Sequence, residues 1–275
     1  MDLTIEKPGL DVAPVVLISL LGTFKLTLDG HLAPISHGSK SEALLTYLAL
    51  ARHRPLQRDS LLGYLWPDCD PIQAGQSLNS LVYQLNKLTK RFVGHVNLVN
   101  NDSGYYFLNM SEGVGVDIDF FEAWSGKGQY LLQQGHIKQG LSYCEQALDL
   151  YRGDLVAVTD IQTVLERERL RTAFLDLLAA LADHYAQQTP TTALTYIHQL
   201  LKYDPCREDA HRLAMRCYVQ LQTRAQALRQ YQLCRQILAT EFETTPEPAT
   251  ETLYNQIRLN PESLTNAASH SSIKH

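Results

Sequence analysis

The chain has 275 residues, of which 45% are hydrophobic and 19% are charged, and its formal net charge is −5. This length exceeds a typical domain of about 100 to 200 residues, so two domains are expected, and the composition excludes a mostly disordered chain. The first fourteen residues lack the basic start of a secretory signal, and no apolar stretch reaches the roughly 18 to 20 residues that span a bilayer, so a cytoplasmic, non-membrane protein is expected.

The charge is unevenly distributed along the chain. Residues 15–110 hold eight Lys or Arg and six acidic residues, whereas residues 111–275 hold fifteen and twenty. No Asp or Glu occurs from Pro71 to Asn101. A surface that faces phosphates requires a stretch of this kind, so the distribution favours nucleic-acid binding by the first part of the chain.

The first predicted elements form a small sheet. An apolar run from Val15 to Leu21 is followed by alternating apolar and polar residues as far as Asp29-Gly30. Asp-Gly between alternating segments is a strong hairpin signal. Two or three short strands are therefore expected before about Ile35.

Two short helices are predicted next. Ser39 and Glu42 have the spacing of a capping box, and the leucines that follow repeat at helical spacing to about His53. A second helix is predicted from Arg58 to Trp66, where Pro67 ends it.

A third predicted helix begins with Asp70 as its cap and Pro71 at its first position, and it runs to about Arg91. Its core face comprises Leu78, Leu81, Val82, Leu85 and Leu88. The opposite face contains only side chains that form hydrogen bonds or carry positive charge: Gln76, Ser77, Asn79, Ser80, Tyr83, Gln84, Asn86, Lys87, Lys90 and Arg91.

A closing hairpin is predicted after this helix, with a polar turn over 101–104 between two apolar segments. A sheet, three helices and a hairpin in this order predict a winged helix-turn-helix domain. In that fold the third helix enters the major groove of DNA and the hairpin contacts the backbone.

From Asp117 onward the pattern predicts helices almost throughout. Ala193-Leu194 recurs as Ala227-Leu228, an offset of 34 residues that matches tetratricopeptide-type repeats. The predicted fold class is therefore mainly α with a small β component. The predicted domains are an N-terminal tail (1–14), a winged helix-turn-helix domain (15–110), an all-α tetratricopeptide-like domain (111–260) and a disordered tail (261–275).

Motifs of enzymes are absent from the sequence. It contains no Gly-rich phosphate loop, no Gly-x-Ser-x-Gly and no His-Glu-x-x-His. The five cysteines are widely spaced without a Cys-x-x-Cys pair, and they are interpreted as buried or half-buried free thiols. No enzymatic activity, metal or cofactor is expected.

The chain resembles the SARP-type regulators from about Val15 to Leu259. In the first half the resemblance rests on Leu21-Gly22-x-Phe24, Leu44-Leu45-x-Tyr47-Leu48-Ala49-Leu50, Arg58-Asp59-x-Leu61 and Leu65-Trp66-Pro67. In the second half it rests on Leu150-Tyr151-Arg152-Gly153-Asp154-Leu155, Glu166-Arg167-Glu168-Arg169-Leu170-Arg171, Asp204-Pro205-x-Arg207-Glu208-Asp209-Ala210, Ala227-Leu228-Arg229-Gln230-Tyr231 and Pro246-x-Pro248-x-Thr250.

The resemblance implies an OmpR/PhoB-type winged helix joined to a bacterial transcriptional activation domain. It further implies sequence-specific binding to double-stranded DNA at promoter repeats by more than one subunit, such as a homodimer, and contact with RNA polymerase. It implies that Ile72 to Arg91 is the recognition helix, that Lys40 and Arg58 lie near the DNA backbone, and that Asn101 to Tyr105 form the wing. The predicted DNA-binding residues are Lys40, Arg58, Gln76, Asn79, Ser80, Tyr83, Gln84, Lys87, Lys90, Arg91, Asn101, Ser103 and Tyr105.

One departure from the family pattern concerns this helix. The family has several arginines along it, whereas this sequence has Asn79, Gln84 and Asn86 at those positions. Asn and Gln can read adenine, each bidentate pair contributing about 1 to 3 kcal/mol of discrimination, but they neutralise no phosphate. Weak binding by a monomer, raised by dimerisation or a partner, is therefore expected. The alternative hypothesis is a protein–protein adaptor whose degenerate winged helix no longer binds DNA strongly.

Overall fold

The computed structural model describes residues 14–155 and 161–259. By its internal contacts the chain divides into two units, one ending at Leu170 and one beginning at Arg171. Apart from Pro14, the predicted tails at 1–14 and 261–275 lie outside the described residues. The predicted domain boundary between residues 110 and 111 stays a prediction.

The first unit contains the described strands and the first helices. The strands are β1 (Val16–Ser19), β2 (Lys25–Leu28), β3 (His31–Leu32), β4 (Leu56–Gln57), β5 (Val99–Asp102), β6 (Tyr105–Leu108) and β7 (Val114–Val116). The helices are α1 (Lys40–Leu50), α2 (Arg58–Leu65), α3 (Pro71–Val93), α4 (Asp117–Gln133), α5 (Ile137–Leu150) and α6 (Ile161–Gln188), and α6 continues into the second unit.

The strands of the first unit form two sheets, with the orders β3-β2-β1-β7 and β4-β6-β5. Strand β1 pairs antiparallel with β2 and parallel with β7. Asp29 (φ 46°) and Gly30 (φ 77°) make the turn between β2 and β3, as the Asp-Gly signal predicts. Strands β4 and β7 are not predicted by the sequence analysis, because two or three residues are too few to establish an alternating pattern.

Helix α1 begins with a variant of the predicted capping box. Ser39 Oγ accepts the N–H of Glu42 at 3.3 Å. The Glu42 carboxylate, however, accepts the N–H of Gly38 at 2.6 Å, one residue earlier than in the standard motif. One donor before the helix and one in its first turn are therefore satisfied, and the predicted helix start is confirmed.

A buried carboxylate ties the end of β1 to the start of α4. Asp117 is 1% exposed, and its oxygens accept the N–H of Leu20 at 2.8 and 2.9 Å and that of Leu21 at 3.0 Å. Burial raises the pKa of Asp117 to about 6. The hydrogen bonds to backbone N–H groups, Leu21 first, act in the opposite direction because they favour the ionised form. This carboxylate is a structural group.

The second unit contains the end of α6 followed by α7 (Pro190–Tyr203), α8 (Glu208–Gln220), α9 (Arg224–Phe242) and α10 (Pro248–Leu259). Ala193 and Ala227 occupy equivalent positions in the first turns of α7 and α9, and both are fully buried. Their N–H groups donate to the carbonyls of Thr189 and Thr223. The recurring Ala-Leu pair therefore marks the start of the first helix in each of two helical pairs.

The five cysteines are free thiols, but the interpretation of all five as buried or half-buried is wrong for one. Cys144, Cys217 and Cys234 are buried, and desolvation raises their pKa values. Cys69 is exposed because it lies in the turn between α2 and α3. None of the described helices combines the length and apolar character needed to cross a membrane.

Candidate nucleic-acid interface

Helix α3 is positioned by a strong N-terminal cap and by its apolar face. The Asp70 carboxylate accepts the N–H groups of Ile72 at 2.9 Å and Gln73 at 3.2 Å. Pro71 follows at the first helical position, where its missing N–H has no cost. The helix has 23 residues and is about 35 Å long.

The leucine-rich face of α3 packs inward. Leu78 and Leu85 are buried, whereas Leu81, Val82 and Leu88 are half-buried at the flanks of the face. This packing fixes the rotation of the helix about its axis. It thereby determines which side chains face outward.

The outward side of α3 holds nine of the ten predicted polar or basic residues. Those that are exposed are Gln76, Ser77, Asn79, Ser80, Tyr83, Gln84, Lys87, Lys90 and Arg91. Ile72 and Gln73 are also exposed at the start of the helix, although they are not among the predicted DNA-binding residues. No residue of α3 carries a carboxylate. Amides can exchange hydrogen bonds with base edges and the cations can neutralise phosphates.

Asn86 does not belong to this exposed face, and its assignment to it is wrong. Its Nδ2 donates to the Val99 carbonyl at 2.8 Å, and its Oδ1 accepts the Val99 N–H at 2.9 Å. The half-buried side chain therefore uses both ends of its amide to hold β5 against α3. Asn86 is unavailable for base reading while these bonds persist.

The substitution Asn86→Ala is expected to lower the free energy of unfolding by about 2 to 3 kcal/mol, because the N–H and C=O of buried Val99 lose their partner. Urea denaturation measures the change. Gln84→Ala, at an exposed position of the same helix, serves as the control and should change stability by less than about 0.5 kcal/mol. Equal effects of the two substitutions would contradict the assignment.

The predicted wing forms between β5 and β6, but the predicted turn over 101–104 is too long, because Asn101 and Asp102 pair with β6 as part of β5. Ser103 (φ 50°) and Gly104 (φ 84°) make its turn, and Asp102 pairs with Tyr105 across it. Asn101, Ser103 and Tyr105 are exposed. Asp102 is exposed as well, so the tip of the wing carries one carboxylate.

Lys40 and Arg58, the two residues predicted to lie near the DNA backbone, are found at opposite ends of α2. Lys40 Nζ donates to the Leu65 carbonyl at 2.5 Å and lies 5.9 Å from the centre of the Trp66 ring. Its ammonium group therefore stabilises the C-terminal end of α2. Arg58 begins α2 at the other end, and its backbone N–H donates to the Gly104 carbonyl of the wing at 2.9 Å.

Arg58, the wing and α3 meet around one buried hydroxyl group. Tyr106 is 1% exposed, and its OH donates to Asn79 Oδ1 at 3.1 Å. Burial raises the pKa of Tyr106, and the positive charge of Arg58 lowers it. At the surface, Gln57 Nε2 donates to the Tyr105 OH at 3.2 Å. Tyr106 could not be predicted from the sequence, because an aromatic residue in an alternating strand suggests core alone. Gln57 belongs to no predicted helix or strand.

The rest of the described chain offers no competing metal centre, since no group of three or more His, Cys, Asp or Glu side chains in it is arranged to hold a metal ion. The extended, carboxylate-free side of α3, together with Arg58 and the wing, is the candidate interface. We call it the α3 surface.

Comparison with known proteins places the chain among bacterial regulators. A family model described as the bacterial transcriptional activator domain matches residues 116–258. The chain is 27% identical over 247 residues to the regulatory protein AfsR of Streptomyces coelicolor, a match that covers 86% of this chain and 24% of AfsR. It is also 27% identical over 250 residues to the transcriptional regulatory protein EmbR of Mycobacterium tuberculosis, a match that covers 86% of this chain and 62% of EmbR.

A solved structure shares the fold. It is that of Mycobacterium tuberculosis EmbR in complex with a low affinity phosphopeptide, with a TM-score of 0.69 and 22% sequence identity over 94% of this chain and 70% of that chain. The likeness confirms the predicted fold class, a winged helix followed by an all-α domain. The chain spans only about a quarter of AfsR and less than two thirds of EmbR.

Proposed function

Because the chain belongs to the bacterial transcriptional activator domain family, we propose that it regulates transcription by binding specific sequences of double-stranded DNA through the α3 surface. One observation carries the proposal: a 23-residue helix that packs its leucines inward and exposes a side without a carboxylate. The similarity to AfsR and EmbR, both regulatory proteins, supports the same role.

The dimensions and chemistry of α3 suit the major groove. An α-helix with its side chains is about 10 to 12 Å wide, and the groove is about 12 Å wide. Gln76, Ser80, Gln84 and the Nδ2 of Asn79 supply hydrogen-bonding groups for base edges along the middle of the helix. Lys87, Lys90 and Arg91 supply positive charge toward its C-terminal end, where phosphates would be neutralised.

Few cations take part, so we expect one copy to bind DNA weakly. The second unit is then proposed to raise the effective affinity, through self-association on promoter repeats or through contact with RNA polymerase. From this role we expect that the protein acts in the cytoplasm by binding other molecules, without catalysing a reaction.

Selection of bound duplexes from a random pool, followed by fluorescence anisotropy on an enriched sequence, tests the proposal. We expect a defined sequence to be enriched and its binding constant to fall steeply as salt rises from about 50 to 200 mM. Failure to retain any duplex at the lowest salt would overturn the proposal. Retention of a specific protein partner under those same conditions would favour the adaptor alternative.

A further inference from the structure

The guanidinium group of Arg58 lies directly on the backbone of α3 at Gly75. A Cβ atom added to Gly75 would coincide with Arg58 Nη2 and would lie 2.8 Å from Cζ. Gly75 is buried and sits within the helix, where glycine has no conformational advantage. The absence of a side chain at Gly75 therefore leaves the space that the Arg58 guanidinium occupies.

In this position the N–H groups of the Arg58 guanidinium are available to bind an anion. Arg58 is half-buried, yet none of the side-chain hydrogen bonds and ion pairs within the described residues involves its guanidinium. A partly desolvated cation is unfavourable until an anion meets it. A guanidinium presents donors in a planar fork that matches the oxygens of a phosphodiester.

The surroundings of Arg58 belong to the α3 surface. Its backbone N–H donates to the Gly104 carbonyl of the wing. Its positive charge acts to lower the pKa of Tyr106, whose OH donates a hydrogen bond to Asn79. Asn79 follows Gly75 by one helical turn, on the same flank of α3. An anion bound by Arg58 would therefore lie between α3 and the wing, within the α3 surface.

We propose that Arg58 and Gly75 form a seat for one backbone phosphodiester of DNA, with Gly75 as the positioning residue that holds the guanidinium in place. This inference rests on the proposed function. Its new element is that Gly75 on α3, because it has no side chain, determines the position of the Arg58 guanidinium.

The substitution Gly75→Ala tests the seat, because it displaces the guanidinium without removing its charge. Gly63→Ala on α2 is the matched control, since a Cβ at Gly63 meets nothing within 4 Å. Alanine favours helix more than glycine does, so neither variant is expected to lose its fold. DNA binding is measured by fluorescence anisotropy of a duplex across a salt series. The proteins compared are the wild type, Gly75→Ala, Gly63→Ala, Arg58→Gln and the double variant that combines Gly75→Ala with Arg58→Gln.

Gly75→Ala is expected to weaken DNA binding about tenfold and to reduce the slope of log K against log salt by about 0.9, the contribution of one phosphate. Arg58→Gln should give the same loss, and the double variant should lose no more than either single variant. Gly63→Ala should match the wild type. The loss should be similar for enriched and random duplexes, because a backbone contact carries no sequence information.

A second readout does not involve DNA. The Nε–Hε NMR signal of Arg58, assigned by its absence in Arg58→Gln, should shift in Gly75→Ala and stay unchanged in Gly63→Ala.

If the wild type binds DNA and Gly75→Ala keeps its affinity and salt slope, the seat is refuted while the proposed function stands. If the wild type binds no DNA, both are refuted. An unmoved Arg58 signal in Gly75→Ala refutes the positioning role in either case.

Discussion

Replacing Lys87, Lys90 and Arg91 together by alanine is expected to lower the affinity for DNA on the order of 10²-fold at about 0.1 M salt. All three side chains are exposed on α3. Each is expected to neutralise one phosphate, so the salt slope should fall by about 2.7. Fluorescence anisotropy with a selected duplex measures both quantities.

The matched control for this variant is Lys202→Ala with Arg229→Ala and Arg235→Ala. These three cations are exposed on α7 and α9, so the control changes the net charge by the same amount at another surface. Its affinity should remain within about twofold of the wild type, because none of the three side chains belongs to the α3 surface. Equal losses in the two variants would contradict a local contact through α3.

The substitution Asp117→Ala is expected to lower the free energy of unfolding of the first unit by about 2 to 6 kcal/mol. It leaves the N–H groups of Leu20 and Leu21 buried without an acceptor, at about 1 to 3 kcal/mol for each. Asp149→Ala, at an exposed position on α5, is the control and should change stability by less than about 0.5 kcal/mol. Urea denaturation of both variants at pH 7 distinguishes a structural carboxylate from a surface one.

The same carboxylate predicts a pH dependence of defined sign. Burial raises the pKa of Asp117 from 3.8 to about 6, so the folded protein binds more protons than the unfolded chain between these values. Stability contributed by Asp117 therefore rises as pH falls through 6 toward 3.8. The difference in unfolding free energy between the wild type and Asp117→Ala should be larger at pH 5 than at pH 7. A smaller difference at pH 5 would contradict the raised pKa.

Much of the fold could be predicted because its signals are local. Asp29-Gly30 fixes a hairpin, Asp70-Pro71 starts α3, and the recurring Ala-Leu pair marks the helical repeat. The resemblance to SARP-type regulators is confirmed by the family model and the similar regulators. Strands β4 and β7 could not be predicted, because their pairing partners are distant in sequence.

The candidate site could be predicted only in outline. Helical periodicity separates the leucines of α3 from its polar side, but it cannot tell a polar residue facing water from one on the flank. Asn86 was therefore assigned to the wrong group, since its partner Val99 is thirteen residues away. The seat of Arg58 on Gly75 is a contact between two helices, and a glycine within a helix gives no sign of what lies over it.

Photo-crosslinking at Tyr83 tests the central claim most directly. Tyr83 on α3 and Tyr130 on α4 are 66% and 60% exposed, so a benzophenone amino acid at either position has similar access to solvent. With a selected duplex, we predict efficient crosslinking to DNA from position 83 and none above background from position 130. Crosslinking from position 130 without any from position 83 would contradict DNA binding through the α3 surface.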